Sequence, residues 1–457
     1  MKGKSIIITL LVILAAFGSL TAQSKKDRDR ARQLQQEADR AYNQKNFREA
    51  ADKYGQALAI LPNDSAAHYR KGFAHFQLKE YDAALTEFNA ALSQGFKPLE
   101  IYKVRAFIYN EQKNYDAALA DIQKGLALSP NDVQLVVGLG DVYLAKNDNA
   151  NALIALQKAQ SVAPNNADID YNIARVEMAM GDAAAQRTAA SKALAKGTRF
   201  VGETHYLLAD ACFKQGDEAC SIENYQKAVT AKPDLYDAYR NLGAIYRSEG
   251  KYTDAINILR QGVKAFPNDG GFYTDLSWYY SLADRPDDAV AAGKAAVQLS
   301  PNQYLGFTNL CRAYNETKAY ELALTTCNSA LRLQPGDGET YFYMARASDG
   351  LRRSAEATRY YSLAVKGLIE FTKANPTYSD SWYLLGNAYF ADNQRDKAVD
   401  AYKKALDLSP NFPKARFNLG VTYTRMKNKT GAQQQYDALR AQDPKLADLL
   451  KAEIDKM

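Results

Sequence analysis

Small and apolar positions return along this chain at a long, regular interval. Frames beginning at Ala31, Ser65, Leu99, Val133, Ala167, Gly202, Tyr236, Gly270, Tyr304, Gly338, Ser379 and Pro413 bring three columns into line. The eighth place of every unit is small, from Ala38 and Gly72 through Cys311 to Gly386 and Gly420. The twentieth is Ala in all units but two, where Gln186 and Ser221 stand. The eleventh is usually aromatic, as at Tyr109, Tyr143, Tyr246, Tyr314 and Tyr423. Places 4, 7, 8 and 11 share one face of a helix, and places 20, 24 and 27 share one face of a second helix. Facing residues of an antiparallel pair have a constant index sum. The pairs 4 with 27, 11 with 20 and 8 with 24 agree with that condition to within one place, consistent with a turn near place 16. Small side chains at 8 and 20 then let the two backbones approach.

Nine of the 13 prolines, Pro62, Pro130, Pro164, Pro233, Pro267, Pro301, Pro335, Pro410 and Pro444, follow the same spacing of 34 residues or near-multiples of it. Each ends a second helix, since proline cannot continue one. A hairpin of this kind leaves one face uncovered, so neighbours must stack. The eleventh unit carries Trp382, Leu385, Gly386, Tyr389, Ala398, Tyr402, Ala405 and Pro410. In these residues it resembles the tetratricopeptide repeat family at every main place, and the resemblance extends over residues 31–446.

The resemblance implies an all-α fold, an α-solenoid of about twelve helix-turn-helix repeats in a right-handed superhelix whose first helices line a concave groove. The repeats divide as 31–64, 65–98, 99–132, 133–166, 167–201, 202–235, 236–269, 270–303, 304–337, 338–378, 379–412 and 413–446. A capping helix ends at 447–457, with Leu446, Leu449, Leu450 and Ile454 covering the last hairpin. The fifth unit departs, with Glu177 in place of an aromatic and Thr198 in place of proline; the tenth is longer by seven residues. Tolerated drift explains both departures, with a hinge or docking ledge as the rival reading.

Ahead of the repeats, basic Met1–Ser5, the apolar run of residues 6–20 and small Thr21–Ala22 have the layout of a secretory signal. Residues 1–22 are therefore expected to be a signal peptide, and 23–30 a basic polar lead-in. A retained anchor is the rival, but fifteen apolar residues fall short of a bilayer core. The protein is thus expected to be exported, periplasmic or secreted in a bacterial setting, with no integral membrane segment after cleavage. The formal charge of +6 shrinks to about +1 once the leader and the basic residues 25–32 are set aside. A body that neutral argues against nucleic acid as partner.

No catalytic or metal signature stands out, so neither an enzyme nor a cofactor or metal is expected. Gly138-Leu139-Gly140 lies within a helical stretch, and His68, His75 and His205 occupy packing places. The pairs Asn63-Asp64, Asn131-Asp132 and Asn268-Asp269 suit turn and cap chemistry. Cys311 and Cys327 hold places 8 and 24 of one unit, facing each other across the hairpin, and Cys212 and Cys220 hold places 11 and 19 of another. Four cysteines allow three pairings. The hairpin geometry selects 311–327 and 212–220 as structural disulfides, the alternative being cysteine as a small core residue.

On the first helices, places 2, 5, 6, 9, 12 and 13 point away from the hairpin core. They include Asn241, Trp278, Asn309, Arg312, Phe342, Arg346, Tyr383, Asn387, Phe390, Phe417 and Asn418. Aromatics mixed with Arg and Asn have the composition of a recognition surface. In related peptide-binding arrays groove asparagines grip the peptide backbone, which the resemblance extends to Asn172, Asn241, Asn309 and Asn418, all at place six. The expected function is an exported, non-catalytic scaffold that binds a protein or extended peptide and supports envelope complex assembly. A carbohydrate or cell-wall binder is the alternative, and homo-oligomerisation stays open.

Overall fold

The computed structural model describes residues 24–457, so the expected signal peptide 1–22 lies outside the described residues. Among the described residues there are twenty-five helices and no strand, numbered α1 to α25 in chain order. They form twelve antiparallel hairpins, from α1 (24–43) with α2 (Phe47–Ile60) to α23 (Pro413–Arg425) with α24 (Lys429–Gln442), followed by α25 (Pro444–Ile454). The chain is an all-α solenoid. It divides into two compact units, one ending at Phe200 and the other beginning at Val201. The division falls at the end of the fifth repeat, the one that lacks a closing proline.

Every second helix begins at place 17, from Phe47 and Tyr81 to Arg395 and Lys429. The turn before it has one conformation throughout. Place 15 has positive φ in all twelve repeats, occupied by Gly181, Gly216 and Gly250 and elsewhere by Lys45, Lys79, Lys113, Asn147, Asp284, Lys318, Arg352, Asn393 and Lys427. A left-handed residue turns the chain sharply enough for the second helix to fold back on the first.

Packing inside each hairpin follows from what the eighth place lacks. A Cβ on Gly72 would lie 2.8 Å from the Phe88 ring, and one on Gly386 2.6 Å from Tyr402, so the ring at place 24 fills the space a side chain would occupy. The alanines at place 20 are almost fully buried opposite. Where a hydroxyl replaces the methyl, it bonds the facing backbone: Ser221 Oγ donates to Ala209 O at 3.0 Å and Ser277 Oγ to Ala289 O at 2.9 Å. A buried polar group is thereby satisfied within the hairpin.

From Ser24 on, the basic polar lead-in belongs to α1, because residues 25–32 contain no helix breaker and Arg28 Nε reaches Ser24 O at 3.1 Å. One expectation needs correction. In the capping helix Leu449 is 58% exposed, while Ala447, Leu450 and Ile454 form the buried face. Their 3/4 spacing points one stripe at the last hairpin, and residue 449 falls off it. The cap itself packs closely, with Leu450 Cδ2 2.4 Å from where a Cβ on Gly420 would sit. The long tenth repeat shows in α20 (Ser354–Ala374), 21 residues against 13 or 14 for its neighbours.

Candidate inner-face site

The C-terminal unit presents its expected site residues on α13 (Tyr236–Ser248), α15 (Gly270–Leu282), α17 (Tyr304–Glu316), α19 (Gly338–Gly350), α21 (Ser379–Ala391) and α23. The local fold explains how the entrance to these helices is held. Asp269 and Asp337 cap α15 and α19, accepting from Phe272 N at 3.1 Å and Thr340 N at 2.9 Å. Place 4 adds a second tether. Trp382 Nε1 donates to Pro376 O, Tyr239 OH to Pro233 O and Arg416 Nη2 to Pro410 O, at 3.0–3.2 Å. His68 Nε2 makes the same approach to Pro62 O at 3.0 Å. In these four repeats a large polar-tipped side chain at place 4 ties the first helix to the carbonyl of the preceding proline.

The asparagines turn their amides into the protein. Asn309 Nδ2 donates to Thr274 O at 3.0 Å and Asn241 Nδ2 to Tyr225 OH at 3.2 Å. Asn418 Nδ2 donates to Asn387 Oδ1 at 2.7 Å, an oxygen that also accepts from Tyr402 OH at 2.7 Å. These groups join neighbouring helices.

The aromatics divide. Phe342 is buried, edge-on to Tyr343 at 5.5 Å. Phe390 and Tyr383 lie half-buried against the cluster around Tyr402, and Phe417 against the capping cluster. Trp278 is half-buried and is approached by two guanidinium groups, Arg247 at 4.7 Å and Arg312 at 5.9 Å from the ring centre.

Arg312 is buried and bonded to Tyr343 OH and Glu339. Burial works to lower its guanidinium, but Tyr343 and Glu339 outweigh burial and hold it firmly charged. Arg346 differs. It is exposed and makes no ion pair with any described residue. It lies near enough to the Tyr343, Tyr361 and Tyr383 hydroxyls to oppose the burial that raises all three. Arg346 is therefore an open cation bordered by phenols, beside a set of groups already engaged between repeats. Arg247 belongs to this face but was not among the expected residues; its sequence signal was its position at place 12.

The structure joins Cys311 to Cys327 and Cys212 to Cys220, with Cα–Cα distances of 5.4 and 5.8 Å. Among the described residues, the group of His, Cys, Asp and Glu close enough to hold a metal is Cys212, Asp217 and Cys220, and both its sulfurs are engaged in the disulfide. No described helix is long and apolar enough to cross a membrane.

Models of the tetratricopeptide repeat match residues 36–98, 171–236 and 240–304, with related models at 109–169, 386–427 and 414–445. A stretch of 65 residues is 35% identical to the UDP-N-acetylglucosamine--peptide N-acetylglucosaminyltransferase of Giardia intestinalis, covering 14% of this chain and 4% of that protein. Another of 41 residues is 51% identical to the peroxisomal targeting signal receptor of Candida albicans, covering 9% and 7%. The chain thus spans a small fraction of the length of the curated relatives it matches. Among solved structures yeast Tom70 is similar at 15% identity, over 85% of this chain and 96% of that one, with a TM-score of 0.39.

Proposed function

Matched by repeat models over more than half its length, the chain belongs to the tetratricopeptide repeat family, and on that premise we propose that it is a non-catalytic scaffold binding a protein or extended peptide on the inner face of its C-terminal unit. The observation that carries this reading is Arg346, an exposed cation without an ion pair among the described residues, bordered by the hydroxyls of Tyr343, Tyr361 and Tyr383. Rigid apolar area beside an open guanidinium suits a polypeptide ligand. The name of the Candida relative, a receptor for a targeting signal, points the same way. The transferase match covers 4% of that enzyme and brings no activity to this chain.

The scaffold is exported and serves complex assembly in the envelope. The leader-like residues 1–22 support export, as do two disulfides of a kind that persist in oxidising compartments.

The test begins with a partner recovered from an envelope fraction and remeasured with both components purified. Arg346→Glu should weaken binding at least ~10-fold, about 1.4 kcal/mol. Lys264→Glu, on an exposed second-helix position, should leave it unchanged. Equal affinities for wild type and Arg346→Glu would refute the inner-face reading.

A further inference from the structure

One ion pair in the C-terminal unit does not join neighbours. Arg247 Nη1 donates to Asp380 Oδ2 at 2.6 Å, across 133 residues of chain. Arg247 belongs to the last turn of α13 in the seventh repeat, and Asp380 to the first turn of α21 in the eleventh. Three complete repeats lie between them. Packed helices stand about 8–10 Å apart, so a straight stack would hold these two first helices several tens of ångströms from each other. The unit must curl until its inner face meets itself, and this pair is where it meets.

The surroundings favour the contact. A cation at a helix C-terminus and an anion at a helix N-terminus each complement the local helix dipole. Both side chains are largely shielded from water, 22% and 27% exposed, which strengthens their attraction. Trp278 lies under the guanidinium, and burial pushes the adjacent Tyr279 hydroxyl up to about 12, which keeps it neutral beside Arg247. Arg247 Nε is buried without a hydrogen-bond partner, while the rest of the guanidinium is shared between Asp380 and the Tyr279 hydroxyl. A looser approach follows one repeat further on. Lys414, though water reaches it, lies deep enough for desolvation to lower its ammonium, while the nearby Glu316 and Asp284 act to raise it.

We infer that Arg247 and Asp380 form a latch that closes the inner face of the C-terminal unit and regulates entry to it. With the latch closed, the space between Trp278 and Tyr383 is bridged and a polypeptide cannot pass between the seventh and eleventh repeats. Opening requires that the pair separate, whether by screening or by a competing charge on the partner. This inference builds on the proposed binding face, but its test needs no partner, so either can fail alone.

Distance labels at Lys264 and Lys404, exposed on the second helices of the seventh and eleventh repeats, would report the gap by double electron–electron resonance in the full chain. The labels should be attached through unnatural residues, leaving both disulfides intact. At low salt the wild type should show one narrow distribution. Asp380→Asn and Arg247→Met should each lengthen the mean by ~5 Å or more, half a helix diameter. Asp380→Glu should keep it short. In 1 M NaCl, where the screening length falls to about 3 Å, the wild type should move toward the variants. An unchanged distance in Asp380→Asn and Arg247→Met, or in the wild type at 1 M NaCl, would overturn the latch.

Discussion

Residues 24–200 and residues 201–457 are built from one kind of hairpin, yet their charges are used differently. In the N-terminal unit the first helices are tied only to near neighbours: Arg70 meets Asp39 at 3.0 Å and Arg175 meets Asp141 at 3.0 Å, each one repeat away. Ion pairs of that reach also occur in the C-terminal unit, where Arg240 grips Asp275 at 2.6 Å. Only there, among the described residues, does a pair span four repeats, and only there are disulfides found. Neighbour pairs fix how one hairpin sits on the next and leave the curvature of the row free. A pair between distant repeats adds a constraint on curvature that no nearest-neighbour code contains.

The sharpest way to test what the units share is to empty the ring pocket at place 24. Phe88→Ala and Tyr402→Ala should each cost about 3–5 kcal/mol, because both side chains are almost fully buried against a glycine. Hydrogen exchange should show matching losses of protection in 65–98 for the first and in 379–412 for the second. A loss in one several-fold smaller than in the other would mean the packing device is not common to both. Reduction should instead separate the units. Breaking the disulfides should lower protection in 202–235 and 304–337 by about 2–3 kcal/mol, given the short loops they close, and leave 65–98 unchanged.

The hairpins were legible because their code is local. Place 8 against place 24, the turn at 16 and the proline at 32 all follow from residues within one unit. The inner face was less legible, for a physical reason. Place numbers say that Asn309 and Arg312 point away from their own hairpin, but not that the adjoining repeats then cover them, the following one bonding Arg312 to Glu339 and the preceding one Asn309 to Thr274. Position 449 is a local case: Leu449 is apolar, yet the stripe of 447, 450 and 454 turns it outward. The Arg247–Asp380 contact depends on accumulated curvature over four repeats, which no single frame encodes.

Glu177 offers a smaller, pH-dependent contrast confined to the N-terminal unit. It sits buried at the place where most repeats carry an aromatic, on α9 (Ala167–Met180), and faces α10 (Ala183–Lys196). Burial raises its carboxyl, and the Asp182 charge adds to the effect. A carboxyl raised on folding costs nothing below its unfolded value, where both states are protonated. The penalty grows as pH climbs from there through the folded value, and it is complete at neutrality. Glu177→Gln should therefore stabilise 167–201 by about 1 kcal/mol at pH 7 and by nothing near pH 4. A gain of the same size at both pH values would assign the effect to packing instead of charge.

The least costly feature is the one both units repeat most faithfully. Lys113 in the N-terminal unit has φ 58° and Lys318 in the C-terminal unit φ 62°, and both side chains are exposed, so the strain is set by the backbone alone. A non-glycine residue in this region is disfavoured by roughly 1–2 kcal/mol. Glycine removes that strain but gains freedom in the unfolded chain, which returns part of the benefit. Lys113→Gly and Lys318→Gly should each stabilise by about 0.5 kcal/mol, read as matched rises in local exchange protection. The glycines at Gly181, Gly216 and Gly250 already occupy this place and set the precedent. Because the turn is the same in every repeat, the two substitutions should agree within error even though the inner faces differ; a clear gain in one unit only would show that curvature in the C-terminal unit reaches as far as its turns.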